Sequence, residues 1–478
     1  MKRTLAWITA AAAVVALIIA VVWWQRETAD RRALLVAARP VQPDLARFPP
    51  VLRQRIEACE RRIAADDEAP AALGELGRLY HANGFYPEAT QCYAALVRVD
   101  PSEPKWAYCY ATLLATVGDI EPAQDMLERV LRRVPDYLPA RIRLGQLCIS
   151  QGRFAAATEV FAAALKITPN NPHATYGLAR CDYEAGRWEQ ARERLDWLFE
   201  NTKSHFGADL LARVYEKLGQ DDRAARYRAI TGSTDFYSDP VDPWMDDLLD
   251  DCYDPYPLSV AGGRAAFLGE IEAGLRRLEQ AVALEPKNAQ LHFGLAKVQY
   301  TARDYTNARE HFERCTVLNP EFPDPWGYLF VIATTVGNAR EAERTLAEGL
   351  RHCPKSPALH LHRARMLAAA GQADEAIREF QTSIQLRPNE AAAYVELAKF
   401  DFSLGRVAEG LVELDRALVA EPEHPAVLQV RVMHAILTAD DAAARQWLRR
   451  AAAQPRIPPE DLEKLKRAYQ GKFGRPCF

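Results

Sequence analysis

Two stretches of this sequence follow one pattern: GRFAAATEVFAAALKITPN at residues 152–170 and GQADEAIREFQTSIQLRPN at residues 371–389. Each opens with a glycine, which favours a turn, and then carries apolar residues at the spacing of one helix face. Each closes near a proline, which cannot continue a helix interior. The pattern therefore predicts a helix that starts after a turn and ends before the proline.

The closing proline recurs at a constant interval. Within two series every step is 34 residues, and the prolines are Pro101, Pro135, Pro169, and then Pro286, Pro320, Pro354, Pro388 and Pro422. Twelve residues before each proline stands Ala or Gly, and eight before it stands a large apolar residue, as in Ala157 and Phe161. On a helix these two positions share a face, so a second helix can approach at the small residue while the large one fills the gap. The interval predicts repeated helical hairpins.

This repeat resembles the tetratricopeptide repeat family, whose period is 34 residues and whose signature includes A-x3-F and a closing proline. The resemblance covers most of residues 70–457 and is closest to the membrane-anchored bacterial type. It implies an all-α fold, a superhelical solenoid of helical hairpins in two arms. It also implies a concave groove, lined by the first helix of each hairpin, that holds peptides or other proteins.

Departures from the period divide the chain into segments. Lys203 stands where a fourth closing proline is expected, and the proline phase breaks between the two series. We predict an N-terminal transmembrane anchor (1–25), a linker and capping helix (26–69), an N-terminal array (70–230), an acidic insertion (231–257), a C-terminal array (258–457), and a capping helix with a tail (458–478).

Residues 4–24, TLAWITAAAAVVALIIAVVWW, carry no charge and as a helix are long enough to span a bilayer. We therefore predict a single-pass membrane anchor preceding the repeats. A cleaved signal peptide is the alternative, but it requires a shorter apolar core and a small-residue cleavage site. The arginines that follow the apolar stretch favour the cytoplasmic side, but the short basic tail before it is typical of an anchor whose following domain is translocated. We therefore expect a periplasmic or other extracytoplasmic location for the repeats.

The stretch between the two arrays is strongly acidic. No Lys or Arg occurs between Arg228 and Arg264, where eight aspartates are interleaved with aromatic residues and three Asp-Pro steps. One interpretation is a structural insertion whose aromatic rings pack on neighbouring helices while its carboxylates face water. The other is an acidic hinge or docking loop for a basic partner. A calcium site is not expected, because no D-x-[DN]-x-[DN]-G loop with a trailing glutamate is present.

The sequence contains none of the common catalytic signatures: no G-x-x-x-x-G-K-[ST] loop, G-x-G-x-x-G turn, G-x-S-x-G elbow or H-E-x-x-H helix. Its net charge of −4 does not fit a protein that binds mainly nucleic acid. We expect no enzymatic activity, cofactor, metal or nucleic-acid partner. Two cysteine pairs, Cys148 with Cys181 and Cys92 with Cys109, are candidate disulfides if the repeats are extracytoplasmic.

Residues that bind a partner are expected to recur with the repeat. Twenty-three residues before each closing position the side chain is basic in five of nine units, and three residues later an aromatic ring or imidazole often follows. The predicted partner-binding groove contains Arg78, His81, Arg180, Tyr183, Lys297, Tyr300, Arg365, Lys399 and Phe402. These side chains would receive a segment that bears carboxylates and apolar residues. The alternative is a solvated face on which basic residues are simply common.

Together these features predict a non-enzymatic membrane-anchored scaffold for protein–protein interactions, in envelope assembly or complex organisation. The alternative is an accessory subunit that positions a catalytic partner in an envelope enzyme complex, for polysaccharide synthesis or cytochrome maturation. The sequence predicts no particular client or oligomeric state.

Overall fold

The computed structural model describes the backbone of most of the chain. It also describes the side chains of these residues, except those of residues 2–17, 226 and 229–231. The described residues are 2–202, 207–231, 240–454 and 457–478. Every regular element within these ranges is a helix, so the prediction of an all-α array of hairpins is confirmed. The chain divides into two units, unit 1 from Met1 to Arg264 and unit 2 from Ala265 to Phe478.

In the described residues of unit 1, two single helices precede five hairpins and a short helical segment. Its helices are Lys2–Ala37 (α1), Pro50–Ala65 (α2), Ala69–Ala82 (α3), Tyr86–Val99 (α4), Pro104–Val117 (α5), Ile120–Arg133 (α6), Leu138–Ser150 (α7), Phe154–Ile167 (α8), Pro172–Glu184 (α9), Trp188–Asn201 (α10), Ala208–Lys217 (α11), Asp221–Thr231 (α12) and Pro243–Asp246 (α13). A 3-10 turn at Asp247–Asp251 follows α13. Successive odd and even helices from α3 to α12 pair as hairpins.

Unit 2 contains five further hairpins, from α16 to α25. Helix α14, Pro255–Phe267, begins in unit 1 and ends in unit 2. The helices after it are Ile271–Leu284 (α15), Ala289–Thr301 (α16), Tyr305–Leu318 (α17), Pro323–Thr335 (α18), Ala339–His352 (α19), Pro357–Ala369 (α20), Ala373–Leu386 (α21), Ala391–Ser403 (α22), Val407–Ala420 (α23), Pro425–Leu437 (α24), Asp441–Ala452 (α25) and Pro459–Phe473 (α26). In each of these hairpins the even-numbered helix comes first. The unit 2 residues of the predicted groove lie on three of these first helices, α16, α20 and α22.

The small and large residues of the repeat lie in the hairpin cores. Each of the eight pairs is buried: Ala89 and Tyr93, Ala123 and Leu127, Ala157 and Phe161, Gly274 and Leu278, Ala308 and Phe312, Ala342 and Leu346, Ala376 and Phe380, Gly410 and Leu414. Burying one large apolar side chain stabilises by about 1.5–3 kcal/mol. The repeat therefore places one such contribution in each of the eight helices that carry the pair.

Phe161 shows how closely the helices approach. A Cβ atom on Gly145 of α7 or on Gly177 of α9 would lie only 2.5 Å from the Phe161 ring. Real Cβ atoms do not come so near to another carbon, so both positions accept glycine alone without rearrangement. The ring of α8 is thus held between the first helices of two successive hairpins.

The predicted membrane anchor requires correction. Within the part of the chain that the structure describes, no helix combines the length and the apolar composition needed to cross a bilayer. This finding contradicts the single-pass anchor at residues 4–24, and with it the extracytoplasmic location that depended on the anchor. The side chains of α1 are described from Ile18 onward, and after Trp24 they include the charged Arg26, Glu27, Asp30, Arg31 and Arg32. The end of α1 packs on the first hairpin, where Leu35 is buried.

All nine cysteines are free and buried in the structure. Neither candidate pair, Cys148 with Cys181 or Cys92 with Cys109, is joined as a disulfide. Burial raises the pKa of the Cys109 thiol to about 12. A thiol with such a pKa remains protonated at neutral pH and acts as a small apolar core residue.

Candidate functional site

The first-helix face of unit 1 holds a segment of the same chain that is not part of the repeat. This acidic segment, residues 240–254, includes α13 and the 3-10 turn. The preceding residues 232–239 of the predicted insertion lie outside the described residues. The acidic segment contacts a surface that we call the unit 1 face, formed by Arg55, Arg78, Asn83, Lys105, Tyr108, Tyr137 and Arg143.

Asp251 anchors one end of the acidic segment. Its side chain is nearly buried and lies between two guanidinium groups, 2.9 Å from Nη2 of Arg55 and 2.7 Å from Nη2 of Arg78. Arg78 also donates a hydrogen bond of 3.3 Å to the backbone carbonyl of Asp247. A desolvated carboxylate requires such compensation, so the two arginines define a specific site for an anion.

Asn83 binds the backbone of the acidic segment. This side chain is 2% exposed, at the end of α3. Its Nδ2 donates to the carbonyl of Asp251 at 2.8 Å, and its Oδ1 accepts from the amide of Tyr253 at 2.6 Å. One amide side chain thereby satisfies both a backbone acceptor and a backbone donor. This arrangement recognises an extended chain without regard to its side chains.

Asp242 and Trp244 anchor the other end. The Asp242 carboxylate accepts hydrogen bonds from the hydroxyl groups of Tyr108 and Tyr137, the latter at 2.7 Å, and lies 3.3 Å from Nη2 of Arg143. The Trp244 ring stacks on Tyr137 with centroids 3.7 Å apart and an interplanar angle of 18°. Burial, together with the Asp242 carboxylate, raises the pKa of Tyr137, so its hydroxyl remains a donor.

The four predicted groove residues of unit 1 do not act together. Arg78 alone contacts the acidic segment in the described structure. His81 is buried against Tyr93, and burial, together with the charge of Arg143, lowers the pKa of His81 to about 4. On α9, Arg180 is exposed, whereas Tyr183 is half-buried against the core of its own hairpin.

On α16 of unit 2, the basic residue and the aromatic residue also differ in burial. Lys297 is exposed, with Nζ 5.6 Å from the centroid of the Phe293 ring. Tyr300 is half-buried, and its ring contacts Tyr305 and Tyr328 at centroid distances of 5.5 and 5.1 Å. The basic positions therefore lie on the surface, while their aromatic neighbours belong partly to the core.

An open groove lies between the first helices α18 and α20. Its volume is about 750 Å³, and its lining includes Phe330, His362 and Arg365. Arg365 is exposed and its Nε lies 3.2 Å from the carboxylate of Glu396. Burial, with a contribution from Arg365, lowers the pKa of His362 to about 4, so this imidazole is neutral at pH 7. The groove thus offers apolar surface beside one cation.

A second groove of unit 2, of about 620 Å³, is lined by Lys399, Phe402 and His434. The Phe402 and His434 rings stack at a centroid distance of 5.0 Å. Lys399 Nζ donates to Glu396 at 2.9 Å, so Lys399 and Arg365 share one carboxylate. The two grooves, which we call the unit 2 grooves, each combine apolar side chains with a cation at the predicted position.

Several residues of the unit 1 face were missed from the sequence. Arg143 lies three residues before Gln146, and Tyr108 lies four before Thr112, where Gln146 and Thr112 occupy the position that supplied Arg78. Helical spacing places each pair on one face, so extending the search by one turn would have found them. Arg55 lies on α2, outside the repeat, and gave no periodic signal.

Sequence profiles described as tetratricopeptide repeat match more than half of the chain. One profile matches residues 149–205 and 367–433, and another matches 110–172, 262–321 and 333–391.

Individual relatives are distant. The TPR repeat-containing protein YpiA of Bacillus subtilis (strain 168) is 21% identical over 333 residues, which are 70% of this chain and 66% of YpiA. The Protein CTR9 homolog of Arabidopsis thaliana is 23% identical over 329 residues, 65% of this chain and 28% of that protein. The chain therefore spans less than two thirds of either relative. The crystal structure of yeast Tom70 superposes with a TM-score of 0.42 and 15% identity, over 85% of this chain and 96% of that one.

Proposed function

Because the chain belongs to the tetratricopeptide repeat family, whose members generally act as protein-interaction scaffolds, we propose that it is a non-enzymatic scaffold that holds segments of other proteins. The binding surfaces are the first-helix faces of its hairpins. The observation that supports this role is the acidic segment on the unit 1 face. That segment is held by ion pairs, by a side-chain amide bonded to its backbone, and by ring stacking.

The unit 2 grooves have the composition to bind similar segments. Arg365 lies beside Phe330 in one groove, and Lys399 lies beside Phe402 in the other. A carboxylate can pair with each cation while an apolar side chain covers the neighbouring ring. A partner that carries acidic and apolar residues therefore fits both grooves.

The proposed role is the organisation of protein complexes. An envelope context depended on the membrane anchor and is not part of the proposal. An accessory subunit that positions a catalyst would use the same faces. It would differ in capturing one fixed enzyme rather than several clients.

Charge reversal on the first helices tests the proposal. The variant Arg365→Glu with Lys399→Glu reverses the charge of the cation in each of the two unit 2 grooves, on α20 and α22. The matched control is Arg344→Glu with Arg378→Glu, which makes the same charge change on exposed positions of the second helices α19 and α21. Tagged proteins are purified from cells, and the co-purified proteins are quantified by mass spectrometry.

We expect the first-helix variant to lose partners that the wild type and the control retain, with the same circular dichroism spectrum for all three. Equal recovery of every partner by the three proteins would contradict the proposed function. Capture of a single enzyme in fixed ratio would assign the accessory-subunit role.

A further inference from the structure

Resting on the proposed function, we propose that the acidic segment is a displaceable built-in ligand of the unit 1 face. The partner of this face is then a short segment of another protein with the same chemistry: aspartates, one aromatic residue and an aliphatic residue. The acidic segment covers the face until such a partner competes for it.

The contacts combine polar recognition with packing, since Trp244 and Met245 pack against one core cluster of unit 1 and Tyr253 packs against another. Asp242 and Asp251 are nine residues apart, and each carboxylate is desolvated in its own cationic site. Leu248 adds a buried aliphatic side chain between them. Lys105 Nζ pairs with Asp247 at 3.3 Å on the exposed side. Charge is complementary along the whole contact, because the face supplies the cations and the segment the anions.

The hairpins of unit 1 have buried cores of their own, on which Trp244, Met245 and Tyr253 of the acidic segment pack from outside. Their buried pairs, such as Ala89 with Tyr93, come from the repeat itself. The acidic segment contributes only α13, of four residues, and a 3-10 turn of five. Such short helical pieces are not stable alone, so the segment is ordered by the face on which it lies.

A competitor can also reach the sites from solvent. The side chains of Arg55, Arg78 and Arg143 remain between 30 and 37% exposed while they hold the aspartates. Displacement of the acidic segment can therefore begin at Asp242 or at Asp251. The arginines that lose their aspartate are then solvated immediately. The carboxylates of Asp242 and Asp251 are themselves buried, so a competing carboxylate approaches from the guanidinium side of each pair and replaces the compensation that the departing aspartate provided.

The test uses the full-length chain and a fluorescein-labelled peptide, PVDPWMDDLLDDCYD, which corresponds to residues 240–254 and is synthesised with Cys252→Ser. The variant Asp242→Asn with Asp251→Asn weakens the internal ligand and leaves the face unchanged. Fluorescence anisotropy then measures binding of the labelled peptide to the wild type and to this variant. A peptide with both corresponding aspartates changed to asparagine serves as the ligand control.

We expect the labelled peptide to bind the Asn variant at least tenfold more tightly than the wild type. Adding Arg78→Glu and Arg143→Glu to that variant should abolish binding, and the control peptide should bind at least tenfold more weakly. Equal affinity of the peptide for the wild type and the Asn variant would overturn the proposal.

A second variant keeps the test valid if the double asparagine substitution disrupts the fold. If the Asn variant loses helicity, Trp244→Ala weakens the internal ligand through the stack on Tyr137 and keeps both aspartates. It should show the same tighter binding, and binding no tighter than wild type would overturn the proposal. A wild type that forms dimers, and in which dimer formation alone blocks the peptide, would also overturn it, by assigning the face to a second copy.

This result is separable from the proposed function. Peptide binding to the Asn variant, with cellular partners that are insensitive to charge reversal at Arg365 and Lys399, supports the built-in ligand and contradicts the scaffold role. The opposite combination supports the scaffold role and overturns the built-in ligand.

Discussion

Asn83→Ala is expected to release the acidic segment from the unit 1 face. The substitution removes two hydrogen bonds to the segment, from Nδ2 to the Asp251 carbonyl at 2.8 Å and from the Tyr253 amide to Oδ1 at 2.6 Å. Each is worth about 1 kcal/mol net, so local opening should become easier by about 2 kcal/mol. Since 1.4 kcal/mol is a factor of ten, the opened population should rise by about 30-fold.

Chymotrypsin measures this opening, because it cleaves after Trp244 and Tyr253 only when the segment leaves the face. When reclosing is faster than cleavage, the rate follows the opened population, so cleavage should also be about 30-fold faster. Asn201→Ala is the control, since Asn201 makes a similar helix-end bond, from Nδ2 to the Trp197 carbonyl at 2.8 Å, away from the segment. Cleavage of Asn83→Ala at the wild-type rate would refute the reasoning.

Three further predictions concern the hairpin cores. Gly177→Ala should lower the free energy of unfolding by about 1–3 kcal/mol because its Cβ would overlap the Phe161 ring. In urea titrations this loss should be smaller when Gly177→Ala is made in a Phe161→Leu background. An equal loss in both backgrounds would contradict the contact. Ala308→Phe should cost a similar amount by forcing α16 and α17 apart, and an unchanged melting curve would show that the repeat phase is wrong. In the folded chain the pKa of His81 is lowered from 6.5 to about 4. Between these two pH values the unfolded chain binds a proton at His81 and the folded chain does not. The stability that this residue gives at neutral pH is therefore lost as the pH falls below 6.5. Between pH 7.5 and pH 5 this loss is about 2 kcal/mol, and urea titrations of His81→Phe should lack it.

The hairpin array was predictable because its signal is local and repeated. A buried pair such as Ala376 and Phe380 lies within one helix, so the 34-residue interval encodes the packing directly. The apolar stretch at residues 4–24 did not allow a correct prediction. Apolar composition alone predicted a membrane anchor, and the described helices contain none.

The placement of the acidic segment was not predictable from local patterns. Asp251 and Arg55 are 196 residues apart in sequence, and nothing in the neighbourhood of either residue indicates the other. The composition showed that the segment is acidic but not which residues its carboxylates contact, so a basic partner protein was one interpretation. In the structure, Asp251 and Asp242 instead pair with arginines of the same chain. The carboxylates of these two aspartates are buried rather than exposed to water.

The candidate groove was predictable only in part. Three residues turn an α-helix by about 300°, so a residue three positions after a groove residue lies about 60° around the helix. That rotation is sufficient to put His81 into the core beneath Arg78, and to leave Tyr300 half-buried beside Lys297. The basic positions lie on the surface, but their pairing, with Glu396 in unit 2 for example, depends on tertiary packing.

Hydrogen exchange of the acidic segment, measured by mass spectrometry with and without a saturating competing peptide, tests the central claim most directly. The amides of residues 242–253 should be protected in the free chain and should exchange faster once the peptide occupies the unit 1 face. Helix α16, which lies in unit 2, should be unchanged and serves as the internal reference. Protection of residues 242–253 that persists at saturation would contradict a displaceable ligand and make the segment a fixed part of the fold.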